Sequence, residues 1–128
     1  MFANTKATNG FAVDDMEAAR RFYGETLGLG VTALSEEFGV SSIQLAGGRD
    51  TLMYAKPDFV PATYTILNFE VDDIDAAVDE LASRGVELER YEGFEQDEKG
   101  VARGPGPSIA WFKDPAGNIL AVLQQPGG

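Results

Sequence analysis

The chain contains no cysteine and no histidine, and only one tryptophan. Without cysteine there is no disulfide, no thiolate metal site and no thiol nucleophile. Without histidine, the commonest transition-metal ligand and the commonest general base near neutral pH are both missing. Ser-His-Asp and Cys-His catalysis are therefore excluded. Positive charge is scarce as well: 10 Lys and Arg stand against 21 Asp and Glu, a net charge of −11. That balance argues against nucleic acid, whose binding rests on basic residues neutralising phosphates. It suits solubility and, secondarily, cationic ligands. No apolar run approaches the ~18 residues of a membrane span. The N-terminal MFANTKATNG also lacks the apolar stretch of a secretion signal. The expectation is a cytoplasmic single domain, residues 1–128, long enough to build a real core.

What the chain does contain is a repeated phrase. Residues 11–23 read FAVDDMEAARRFY and residues 69–81 read FEVDDIDAAVDEL, an offset of 58 positions. Each copy passes from a strand pattern into a helix pattern. In the first, Ala7–Val13 reads as a strand, Asp14 or Asp15 as a helix cap, and Gly28 as the stop. Met16, Ala19, Phe22 or Tyr23, and Leu27 fall on one helix face. In the second, Thr65–Val71 is the strand, Asp72 or Asp73 the cap, and Ile74, Ala77 or Val78, and Leu81 the apolar stripe, with Gly85 ending the helix. The strands expected next are Gly30–Leu34, Val40–Leu45 and Thr51–Lys56, then Val86–Tyr91, Ser108–Lys113 and Ile119–Gln124. Asp114-Pro115-Ala116-Gly117-Asn118 is a tight reversal before the last strand. The predicted order is βαβββ, twice: module one covers 1–58, module two 64–128, and PDFVPAT (57–63) joins them. The fold class is α+β, a curved, mostly antiparallel mixed sheet around a cleft with the helices outside.

The phrases VDDMEAARRFYGETLGL and FEVDDIDAAVDELASRGV, with the tail WFKDPAGNILAVLQ, resemble the vicinal oxygen chelate superfamily: glyoxalase I, bleomycin-resistance proteins and extradiol dioxygenases. The likeness spans essentially the whole chain. It implies four metal-ligand positions, filled in metal-dependent members by His and Glu, which map here onto Thr8, Leu52, Ile66 and Ala121. Three of these are hydrocarbon and the fourth is a neutral hydroxyl, so the resemblance brings no transition-metal site with it. Shifting the register by one residue puts neither His nor a carboxylate at any of the four. Asp50 and Glu70 could in principle hold a hard cation such as Mg²⁺ or Ca²⁺, a minor alternative because such ions want several oxygen ligands at fixed distance. No cofactor and no metal is expected. Glyoxalase I and dioxygenase activity are not expected either, since glyoxalase chemistry needs a metal to polarise an enediolate.

Strand alternation extends this reading to a cavity wall. If Thr8 and Ile66 face inwards, so do Gly10, Ala12, Asn68 and Glu70, while Tyr54 joins Leu52. Such a wall suits an organic ligand better than an ion. Glu70 is the candidate catalytic base, if burial raises its pKa. Residues 92–107, EGFEQDEKGVARGPGP, form the longest aperiodic stretch and read as a lid or a solvated connection. Phe94, Lys99 and Arg103 are its candidate ligand contacts. Trp111 is either core or a stacking surface, and Tyr64 and Tyr91 share that ambiguity. The leading expectation is a metal-free binder of a small organic molecule, of the antibiotic-sequestering or related kind. The alternatives are a metal-independent lyase or isomerase using Glu70 or a Tyr, and a degenerate structural or regulatory domain. The resemblance further implies a homodimer.

Overall fold

The computed structural model describes residues 1–126. It contains seven strands and two α-helices in two mixed sheets, one for each copy of the repeated phrase. The chain divides into compact units at Met1–Pro61 and Ala62–Gly128.

The first unit runs β1 (Asn9–Val13), α1 (Met16–Arg21), β2 (Gly30–Ser35), β3 (Val40–Leu45) and β4 (Arg49–Ala55), with sheet order β1-β4-β3-β2. β1 is parallel to β4 and the other pairs are antiparallel. Asp15, in extended backbone, starts α1 by accepting from the Ala18 N–H at 3.1 Å. The helix does not simply stop at Gly28. From Phe22 to Thr26 it widens into a π turn, in which Leu27 N–H donates to the Phe22 carbonyl at 2.9 Å. This turn keeps Tyr23 in the core, edge-on to Phe22 and 5.6 Å from Phe11. Phe11, Val13, Ile43, Met53 and Ala19 complete that core.

The second unit runs β5 (Thr65–Glu70), α2 (Ile74–Ser83), β6 (Ser108–Lys113) and β7 (Ile119–Gln124), in sheet order β5-β7-β6. β5 is parallel to β7 and β6 antiparallel to it. Asp73 caps α2 through the Ala76 N–H, as Asp15 caps α1, and the Gln124 side chain accepts from Ile74 N–H at 2.9 Å. Ile74, Val78 and Leu81 are the buried face, and Gly85 (φ +84°) provides the left-handed exit. With Ala110, Phe112, Leu120 and Val122 they form the core of this unit. The DPAGN reversal closes on itself. Asp114 accepts from the backbone N–H and the side-chain amide of Asn118, and Asn118 Oδ1 accepts from Ala62 N–H at 3.2 Å.

Two expectations change. Val86–Tyr91 is not a full strand: it makes one bridge, Leu88 to Phe112, in which Glu89 N–H donates to the Trp111 carbonyl at 2.7 Å. The cause is Gln96. Its Oε1 accepts from Tyr91 N–H, and its Nε2 donates to the Glu89 and Gly100 carbonyls, all within 2.8–2.9 Å. One side-chain amide thus takes backbone groups that a continued ladder would use. The second correction concerns β5, where a bulge between Thr65 and Leu67 interrupts pairing with β7. The alternation that was to carry Ile66 onto the face of Asn68 breaks there.

Candidate functional site

The sheet of the second unit has two different faces. Leu88 lies opposite Phe112 and, with Val78 and Ala82 of α2, lines a pocket of about 410 Å³, so α2 covers the Phe112 face. Trp111, one residue along β6, faces away from the helix. It sits across from Ala121, which in turn pairs with Asn68. Tyr91 meets the indole edge-on at 5.4 Å, and Phe94 lies on it at 5.0 Å with a 54° tilt. Ala121, the cross-strand partner of Trp111, is fully buried, Trp111 is 8% exposed and Phe94 is 56% exposed. The aromatic group is therefore a filled layer with one loosely covered ring on top. At its rim, Lys113, on the Trp111 face, pairs with Glu89 at 3.3 Å.

Burial raises the Tyr91 phenol above its ordinary value, and the neighbouring Glu89 charge adds to the effect against a smaller opposing one from Lys113. Tyr91 is thus neutral at physiological pH, a hydrogen-bonding group and not a base. Its hydroxyl is enclosed and has no hydrogen-bond partner among the described residues.

The other predicted site residues distribute as follows. Thr8 is exposed and precedes β1. Leu52 is half-buried in β4, opposite Gly10 on one side and Ser42 on the other, and Tyr54 follows it on the same face. Ile66 sits at the β5 bulge, half-buried, and Asn68 is exposed. Glu70 is exposed, accepts from Gln125 Nε2 at 3.2 Å, and lines a recess of about 150 Å³ with Asp72 and Gln124. The burial on which its general-base role depended is not present. Lys99 and Arg103 do not join the aromatic face. Lys99 pairs with Asp79 of α2 at 3.1 Å, and Arg103 bridges Asp75 of α2 at 2.7 Å and Asp97 at 3.2 Å. Asp97 is held below the ordinary carboxylate range chiefly by the Val101 N–H, against some desolvation, with help from Arg103 and the Lys99 N–H. The aperiodic stretch is thus divided: Phe94 goes to the indole and the two cations go to α2. Gln96 and the Glu89–Lys113 pair were not foreseen. The only available hint was that Glu89, Tyr91 and Phe94 flank the one Gln of the segment.

A transition metal does not fit the four inherited positions, because Leu52, Ile66 and Ala121 offer no donor atom in their side chains and Thr8 offers a neutral hydroxyl. Among the described residues no three His, Cys, Asp or Glu side chains gather as a metal site. No helix among them is long and apolar enough to cross a membrane.

The family profile for the Glyoxalase/Bleomycin resistance protein/Dioxygenase superfamily matches residues 7–122. No curated protein sequence matches significantly. Similar solved structures include TnmS3, an antibiotic binding protein from Streptomyces sp. CB03234 (26% identity, TM-score 0.70, covering 95% of this chain and 98% of that one). A glyoxalase family protein from Bacillus anthracis is also similar (23%, TM-score 0.70, 98% and 99%). So is a lactoylglutathione lyase from Agrobacterium tumefaciens (22%, TM-score 0.63, 95% of each chain). With the profile spanning residues 7–122, the protein belongs to the Glyoxalase/Bleomycin resistance protein/Dioxygenase superfamily.

Proposed function

We propose that this protein binds a small organic molecule without a metal, in the manner of an antibiotic-sequestering protein, and that the ligand docks on the aromatic face of the second module. The observation that carries the reading is the Trp111 layer. An indole on a sheet, backed by a fully buried Ala121 and covered by a half-exposed Phe94, offers a planar apolar contact. The metal-independence rests on residue chemistry, since hydrocarbon side chains stand where relatives place ligands. The antibiotic-binding neighbour supports this choice among the superfamily's functions. Fold alone would not make it, because a fold of this kind hosts many chemistries. Glu70 supports a lyase or isomerase less well, being exposed and bonded to Gln125.

We further take the protein to be a cytoplasmic homodimer. Leu34 and Phe38, at 57% and 73% exposure at the end of the β2–β3 hairpin, are apolar surface that a partner would cover. Sedimentation equilibrium at several concentrations tests this, and a monomer throughout would reject it. For binding, the test is titration of Trp111 fluorescence with a panel of aromatic antibiotics, before and after chelator treatment. Saturable quenching that chelation leaves unchanged is expected. Quenching that appears only with added Ni²⁺ or Zn²⁺, or turnover of the methylglyoxal–glutathione adduct with those ions, would overturn the proposal.

A further inference from the structure

Tyr91 has a feature that ring packing does not explain. Its hydroxyl oxygen is enclosed yet unpartnered. The nearby polar groups are committed elsewhere: Glu89 to Lys113, and both ends of the Gln96 amide to backbone. An enclosed hydroxyl with no partner destabilises the fold, and phenylalanine would fill the same space without that cost. A second observation concerns the indole that Tyr91 meets. Phe94 rests on the same indole, is more than half exposed, and follows Gly93 in the left-handed region (φ +89°). The chain beyond it is fixed by Gln96, by Arg90 donating to the Asp97 and Glu98 carbonyls, and by Asp97 accepting from Lys99 and Val101 N–H. The Phe94 ring is thus the loosely held part of a tethered segment.

We infer that Phe94 is a displaceable cap, and that the ligand taking its place on Trp111 is a planar aromatic molecule bearing a neutral oxygen acceptor, to which the Tyr91 hydroxyl donates. This rests on the binding reading above and adds the ligand class and a specificity-determining residue. The acceptor is neutral because Glu89 stands beside the phenol and the chain carries a net charge of −11. The raised phenol pKa keeps the proton available for donation.

Two probes separate the parts: prodan, a planar dimethylaminonaphthalene with a ketone, and the same dimethylaminonaphthalene without its propionyl group. Both are titrated into wild type, Tyr91→Phe, Phe94→Ala and Trp111→Leu, with melting temperature recorded for each. Tyr91→Phe is expected to weaken prodan by about tenfold, the size of one good hydrogen bond, and to leave the ketone-free probe unchanged. Its melting temperature should equal or exceed that of wild type. Phe94→Ala should speed both association and dissociation of either probe. Equal prodan affinity in wild type and Tyr91→Phe overturns the anchor while leaving the binding reading intact, as does a Tyr91→Phe melting point several degrees lower. Unchanged binding in Trp111→Leu overturns the docking face itself. Failure of both probes to saturate wild type overturns the ligand class, and the antibiotic panel then decides the broader reading independently.

Discussion

The two modules begin alike and finish differently. Asp15 and Asp73 cap their helices through the same contact, and Phe11–Val13 and Phe69–Val71 hold equivalent places at the strand ends. After the helix the first module adds a hairpin, β2–β3, with a register shift between Ala33 and Ser35, to complete four strands. The second has three strands and an aperiodic segment, which Ala102 pairs to Ile109 of β6 and Gln96 ties to Glu89 and Tyr91. Their sheets also trade size across equivalent pairs. Gly10 faces Leu52, and a Cβ on Gly10 would meet the Leu52 carbonyl at 3.2 Å. At the corresponding place Asn68 faces the small Ala121, whose other cross-strand partner is the large Trp111. The shared part is what folds each module, and the divergent part is where side chains became free to change.

The comparison can be broken most forcefully in the core. Phe112→Ala should destabilise the protein by about 3–5 kcal/mol in urea unfolding, since its ring is almost fully buried. Met53→Ala in the first module should cost a comparable ~2–5 kcal/mol, and a negligible effect there would mean the two cores are not equivalent. Next in size is Gln96→Ala, which leaves three part-buried backbone groups without their partner and should cost about 2 kcal/mol. Hydrogen exchange should then quicken at Tyr91 N–H, with β2 and β3 unaffected. Asp15→Ala and Asp73→Ala should each lose about 1 kcal/mol by calorimetry. A mismatch larger than that would show that the repeated phrase no longer does equal work in both places.

Smaller effects come from charge. Because the folded Asp97 carboxyl titrates below its ordinary 3.8, its contribution is complete above that pH and disappears as pH falls through the folded value. Urea melts of Asp97→Asn should therefore lose part of the acid-side slope seen in wild type. The Tyr91 phenol behaves in the opposite sense: its folded value is raised, so its contribution is full below the ordinary 10.0 and is lost as pH climbs past it. Absorbance titration of wild type against Tyr91→Phe should show the lost phenol ionising above 10.0. Lys99→Met should leave the urea midpoint unchanged, because its pairing with Asp79 is solvent-screened.

Much of the scaffold was readable from residues alone. β3, β6 and β7 fall where alternation puts them, and each helix starts at one of its two candidate aspartates. These signals are local, confined to a few neighbouring side chains. The misreadings are non-local. Glu87, Glu89 and Tyr91 alternate like a strand, and nothing nearby reveals that Gln96 will capture their backbone. Lys99 and Arg103 look available until the fold brings Asp75 and Asp79 to them from α2, more than 19 residues earlier. The bulge at Ile66 depends on the register of β7, which the sequence of β5 does not contain. For the site, the hydrocarbon character of Leu52 and Ala121 was plain in the residue letters, whereas the Trp111–Phe94 contact needed a loop conformation that alternation does not specify.

The DPAGN reversal has a consequence for how such chains evolve. Asp114 and Asn118 are spent on fastening a corner, and Asn118 reaches the opening of its unit at Ala62. The signature by which kinship is most readily noticed is a clasp, remote in purpose from whatever the molecule handles. Descendants can exchange their reagents at will while keeping the clasp, so ancestry stays visible long after occupation has changed.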